Sequence, residues 1–408
     1  MKLLKQVYQK LLMAALLSIS VIGCDDMEED LFMDGMPVHT DNITNGTVAS
    51  GPTNTVAIYR VGEVRPCSGV LLREDGWVLT ACHCVAANHE TSGNAATNYP
   101  IEDIKVTQPS NLSPGVTVPA DALSVTSVIF HPTTDIALIK VPGLIPAGHS
   151  AIWMGPSAAL QNYWRILTPF GYGINTGTSG TSGAGVLRYA HLSVTGTSDS
   201  TLTYSMGMNS SGQLPNHGDS GGPTFLSRSY TSGEYFSYIT GIHRYLSGST
   251  TEVDAHVAGT IVNWIQTKIG WLYIYRSLNV NRSPRTRYFD VKYNNSAEET
   301  PVWLWGYTGT AAQKWYYNPF SKRIINMNDK CLTIADDSSS NGAGLWMETC
   351  VGKNSQKWTF TGDLMIQNYN GKCITAPGNN NNGGSITMQT CNSLETQRWA
   401  ASFQPPVE

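Results

Sequence analysis

Serine is a weak nucleophile unless a base takes its proton and donors stand ready for the oxyanion. Ser220 lies in Gly218-Asp219-Ser220-Gly221-Gly222-Pro223. Glycines on both sides let the backbone approach a scissile carbonyl and aim N–H groups at it. Two upstream stretches offer a base and an acid to orient it. His83 stands in Leu79-Thr80-Ala81-Cys82-His83-Cys84, and Asp135 opens Asp135-Ile136-Ala137-Leu138-Ile139. Taken singly, each has a plainer reading: a polar turn, a core histidine, a strand edge. Together, in the order His, Asp, Ser, they point to acyl transfer by an activated serine.

The three stretches resemble the histidine, aspartate and serine boxes of trypsin-like, chymotrypsin-fold serine proteases. The resemblance implies that His83 is the general base, that Asp135 orients it, and that Ser220 attacks. The N–H groups of Gly218 and Ser220 would form the oxyanion hole, each donor typically worth about 2.7–4 kcal/mol. Ile43-Thr44-Asn45-Gly46-Thr47 is similar to the family's mature N-terminus. Cleavage between Asn42 and Ile43 would then free an α-amine to pair with buried Asp219. The cysteine pattern implies a Cys67–Cys84 disulfide and leaves Cys82 as a free, small, buried residue. Asn216 stands where another family cysteine would be.

Specificity is divided on the same comparison. In trypsin, an acid six residues before the serine binds Lys or Arg; here that position is Leu214, which argues against basic side chains. His243, in Ile239-Thr240-Gly241-Ile242-His243, resembles the residue that binds the substrate carboxylate in bacterial glutamyl endopeptidases. Pro215 and Leu246 depart from that pattern, and a bulky residue at Leu246 resembles elastases. Glutamate preference and small-apolar preference both stay open.

These boxes need a scaffold, and 408 residues are too many for one ordinary core. Charged residues are 14%, against roughly 25% on average, with Gly, Ser, Thr and Asn filling the polar positions. That suits a loop-rich, extracytoplasmic β protein. A net charge of −4 without a Lys/Arg cluster argues against nucleic acid as a partner. Residues 1–24 carry three lysines and then an apolar run too short to span a bilayer, as in a signal peptide. Val21-Ile22-Gly23-Cys24 resembles a bacterial lipobox, which implies acylation of Cys24. Residues 25–42 open on an acidic run and read as a tether or propeptide. They contain no cysteine, so activation would release the enzyme from its anchor. Strands alternate with turns beyond residue 43, and 174–185 reads as a surface loop. Val257, Ile261, Trp264 and Ile265 have helical spacing. The resemblance to trypsin-like proteases covers about 43–269.

Residues 270–408 change character. Gln-x-Trp recurs at 313, 356 and 397, and three such units resemble a ricin-type β-trefoil. The resemblance implies intra-lobe disulfides Cys331–Cys350 and Cys373–Cys391. Lobe one keeps Asp290, Trp305 and Gln313 of the family's sugar site, although Tyr288 and Tyr307 replace its cysteines and Ala312 its asparagine. Lobes two and three carry Thr333 and Thr375 where that aspartate belongs. A trefoil that only packs, or docks protein, is the plainer alternative.

The expected fold is all-β: a two-barrel protease domain with a C-terminal helix, followed by a trefoil. The expected function is a bacterial cell-envelope or secreted serine endopeptidase, directed to glycans or glycoproteins by the trefoil and needing no cofactor or metal. Its membrane contact would be the lipid on the precursor. The alternatives are a catalytically silent lectin on a protease scaffold, and an elastase-like protease with a non-lectin trefoil.

Overall fold

The computed structural model describes residues 43, 46–49, 53–63, 66–86, 99–108, 118–146, 150–161, 166–173, 184–198, 200–205, 213–215, 217–229, 235–247, 251–280 and 283–405. The signal segment with Cys24, the tether 25–42, Asn216 and most of the loop 174–185 lie outside them.

The fold is mostly β, as expected. The first sheet has seven antiparallel strands in the order Leu123–Ser124, Ile104–Thr107, Thr55–Arg60, Cys67–Leu71, Trp77–Thr80, Ala137–Lys140 and Ser127–Phe130. Val56, Ile58, Val78, Val106 and Ile139 fill its interior; β-branched side chains suit such a pleated, packed surface. The second sheet is built on Ile166–Gly171, Leu192–Thr197, Thr201–Ser205, Thr251–His256, Tyr235–Ser247 and Pro223–Ser229. Between the two sheets lies a shared core in which Val70, Leu79 and Leu138 meet Phe225, Ile239 and Ile242. The histidine and aspartate boxes therefore come from one sheet, the serine loop from the other. The helix runs Gly259–Ile269 and buries Ile261, Trp264 and Ile265, the face its periodicity predicts. Val257 is buried too, but precedes the helix.

The trefoil repeats one pattern three times. Trp315, Trp358 and Trp399 share its core, and each indole N–H donates to a backbone carbonyl 25 or 26 residues earlier: Phe289, Leu332 and Ile374, at 3.1, 2.9 and 3.0 Å. Each repeat's glutamine is also buried. Gln313 Nε2 reaches Asp290, Gln356 Nε2 reaches Thr333, and Gln397 Nε2 reaches Thr375, at 3.0, 3.1 and 3.0 Å. The Gln-x-Trp unit is thus a structural clamp: one donor ties the core ring to the backbone, another ties the loop above it. Cys331–Cys350 and Cys373–Cys391 are bonded as the resemblance implies. In lobe one, Tyr288 and Tyr307 take the cysteine positions and pack with Tyr273.

The two halves share buried structure. Gln266 on the helix exchanges two hydrogen bonds with the Tyr317 backbone, both 2.9 Å. Leu272 and Trp315 pair backbone to backbone. Tyr273, Tyr275, Leu364 and Ala400 lie in one apolar cluster with Ala151, Trp153 and Leu160 of the barrel half.

Candidate active site

His83 sits in a short 3-10 turn, Cys82–Cys84, at the end of strand Trp77–Thr80. Asp135 stands two residues before strand Ala137–Lys140, which pairs with that strand. This pairing brings acid and imidazole together. His83 Nδ1 lies 2.8 Å from Asp135 Oδ2, and the His83 backbone N–H donates to Oδ1 at 3.0 Å. Asp135 is fully buried, while the His83 side chain keeps 16% of its surface. Burial alone would raise the Asp135 carboxyl; the imidazole, the two His83 hydrogen bonds and the Arg244 guanidinium outweigh it and hold the carboxyl below its ordinary range.

The backbone of Ser220 comes up beside this pair from the other sheet. Its carbonyl accepts from the Ser68 N–H at 2.8 Å and lies 3.4 Å from the sulfur of Cys84, the neighbour of His83. Cys84 is bonded to Cys67. The Ser68 hydroxyl donates to the Gly218 carbonyl at 3.0 Å, so the loop is fastened on both sides of the serine.

Asp219 points away from Ser220 into the protein. Its carboxylate accepts from the Ile43 nitrogen at 3.0 Å and from Gly173 N–H at 2.9 Å. A Cβ on Gly171 or Gly173 would fall 2.1 or 2.7 Å from Asp219 Oδ1, so both positions must be glycine. Residues 43–265 match the family model for trypsin, which is more than half of the chain. The chain belongs to the trypsin family. Residues 280–399 match the model for the ricin-type beta-trefoil lectin domain. No curated protein matches the chain.

Within this trypsin-family domain, one expectation needs correction. Cys82 is fully buried but is not a free thiol; it is bonded. Leu214 is buried, bridges Ile43 backbone to backbone and packs in the same core cluster. The side chain of Leu246 is outside the described residues.

His243 is in place on strand Tyr235–Ser247, but with company that the motif reading missed. Its Nδ1 lies 2.7 Å from Asp254 Oδ1 and 3.8 Å from Glu252 Oε1. Both acids are buried. Burial, with Asp254 and Asp219 as like-charged neighbours, pushes the Glu252 carboxyl well above its ordinary range. A signal was present: Thr251–His256 reads Thr-Glu-Val-Asp-Ala-His, an alternation that puts both acids on one strand face.

In the trefoil, Asp290 and Gln313 meet as expected, but the tryptophan that touches Asp290 is Trp303. Its indole N–H donates to Oδ1 at 2.8 Å, while Gln313 takes Oδ2. Trp305 stacks on Trp303 instead, with ring centres 4.8 Å apart.

Proposed function

We propose that the chain is a serine endopeptidase of the cell envelope. His83 would be the general base, Asp135 its orienting acid and Ser220 the nucleophile, with oxyanion donors from Gly218 and Ser220. The observation that carries this reading is the double hydrogen bond between His83 and buried Asp135 at the foot of the serine loop. Asp135 would hold the tautomer whose Nε2 accepts the serine proton, then balance the imidazolium during transfer to the leaving amine. Labelling by a fluorophosphonate, lost in Ser220→Ala, tests it; a folded wild-type protein that is neither labelled nor active on any peptide would leave the silent-scaffold reading.

The domains would be a protease over 43–269 and a trefoil over 270–408, after a signal peptide and a tether. The precursor would be activated by cleavage before Ile43. The contact between the Ile43 nitrogen and Asp219 supports this: cutting there turns an amide N–H into an α-ammonium beside a buried carboxylate. Anchoring through Cys24 is part of the proposal. The chemical state of Cys24, by mass spectrometry of the precursor, is the first measurement for release on activation. The trefoil would direct the enzyme to carbohydrate through lobe one, with Trp305 as its stacking face.

A further inference from the structure

The strand Ala400–Ser402 closes the trefoil and also fills the protease half. It pairs with Tyr273–Val280, the first strand after the helix. It packs as well on Ser150–Ile152, which belongs to the second barrel sheet. Successive side chains point opposite ways along a strand. Ala401, with Phe403 just beyond the strand, enters the shared core of Phe225, Ile239 and Ile242. Ala400 enters the neighbouring cluster, with Trp153 and Tyr238. Phe403 keeps 3% of its surface and Ala401 2%, so neither is a surface residue of a separate domain.

Ser150–Ile152 carries this contact to the candidate active site. It pairs in parallel with Tyr235–Ser247, Ile152 opposite Ile239. Further along that strand the His243 backbone holds the serine loop: Gly221 N–H donates to its carbonyl at 2.9 Å, and its own N–H donates to the Gly222 carbonyl at 3.0 Å. A second contact reaches the activation end. Ile43, whose nitrogen meets Asp219, shares its cluster with Tyr273, Tyr275 and Tyr288 of the trefoil. Packed interiors close poorly over lost side chains, and each cavity costs contacts on all its walls. Without the trefoil, the apolar cores behind the serine loop and around Ile43 would both stand open to water.

We propose that the trefoil is a structural part of the protease, and that the site forms only once residues 400–403 have docked. This goes beyond the serine-protease reading, because it makes the trefoil necessary to the fold of the site whatever sugar it takes. A large apolar joint holds two halves as one cooperative unit, where a small polar one lets them move apart. A cut that detaches the trefoil would therefore end activity instead of releasing a free protease. During synthesis, competence would wait for residues 400–403.

The test uses the full chain, and its first readout is hydrogen exchange. Phe403→Ala should speed exchange in 235–247 and in 273–280 together, by about a hundredfold. Should that variant not fold, Phe403→Leu carries the same comparison with a rise of about tenfold. Exchange that rises in 273–280 while 235–247 keeps its wild-type rate would overturn the inference. Beside it, fluorophosphonate labelling compares the activated full chain with one ended after Gly270. No labelling of the shortened chain is expected; labelling at more than about a tenth of the full-chain rate would also overturn the inference. If the full chain itself is never labelled, the protease reading falls, and the exchange comparison still decides this one.

Discussion

Among the described residues, two histidine–aspartate pairs have nearly the same geometry, and both flank the serine loop. His83 Nδ1 meets Asp135 at 2.8 Å and His243 Nδ1 meets Asp254 at 2.7 Å. Both aspartates are fully buried. The difference is at the far side of each ring. His83 keeps 16% of its side-chain surface, and His243 keeps 1%. The first imidazole is open to a group that enters the site. The second is closed in beside Asp254, with Glu252 3.8 Å from the same nitrogen. Only a ring whose second nitrogen can be reached could pass a proton to a bound substrate.

Exchanging one atom in each pair should separate these roles. Asp135→Asn keeps the shape but favours the wrong imidazole tautomer, so turnover should fall by about 10⁴-fold with the urea midpoint nearly unchanged. Asp254→Asn leaves a buried imidazole beside Glu252 without its main partner. Its expected effect is on folding, a loss of about 3–5 kcal/mol in urea unfolding. Paired denaturation and kinetic measurements on both variants decide the matter. If Asp254→Asn unfolds like wild type, or Asp135→Asn turns over within tenfold of it, the contrast between the pairs fails.

Glu252 offers a finer test, through pH. Its carboxyl is raised in the folded state by burial and by two neighbouring acids. The unfolded chain releases that proton near pH 4.3, about the ordinary glutamate value, while the folded chain keeps it. Over that window the unfolded state binds fewer protons, so wild-type stability falls as pH rises. Glu252→Gln removes the ionisable group. Its stability should match wild type at pH 4 and exceed it at pH 8, by about 1–3 kcal/mol. Thermal melts at the two values check this; a gain of equal size at both would mean that the effect is packing, not charge.

The meeting of the first pair was legible in sequence, because short contiguous boxes fix a strand end, a turn and a buried acid. His83, Asp135, Ser220 and Asp219 each carry their context with them. The three Gln-x-Trp units were legible as a repeat, since each builds the same clamp. What was not legible is contact across strands. Glu252 and Asp254 belong to no box, and only the register that sets His243 opposite Asp254 gives them meaning. Nothing in the sequence marks Gly171 and Gly173, whose missing side chains leave the space that Asp219 occupies. The joint between the halves was equally hidden, since Gln266 shows nothing in sequence of its bonds to Tyr317.

A further buried acid, Asp290, extends the contrast to a site with no histidine among its partners. Asp290 is held by two neutral donors, the Trp303 indole and the Gln313 amide, at 2.8 and 3.0 Å. Burial raises its carboxyl, and these two hydrogen bonds only partly offset that. The sister lobes show what the structure strictly requires there, because the hydroxyls of Thr333 and Thr375 receive the same glutamine donor. The carboxylate is therefore more than the clamp needs. Asp290→Thr copies the sister lobes, so it should cost at most about 1 kcal/mol in unfolding free energy, the net worth of one hydrogen bond. If lobe one is the sugar-binding lobe, the same change should abolish retention on a glycan array, since the surplus oxygen lone pairs are what a sugar hydroxyl would use. Melts and arrays on the full chain, made inactive by Ser220→Ala, separate the two effects. A large loss of stability would mean that Asp290 is structural after all. Glycan binding that survives the change would move the contact elsewhere, and no binding in either protein would leave the trefoil as the packed partner of the protease core.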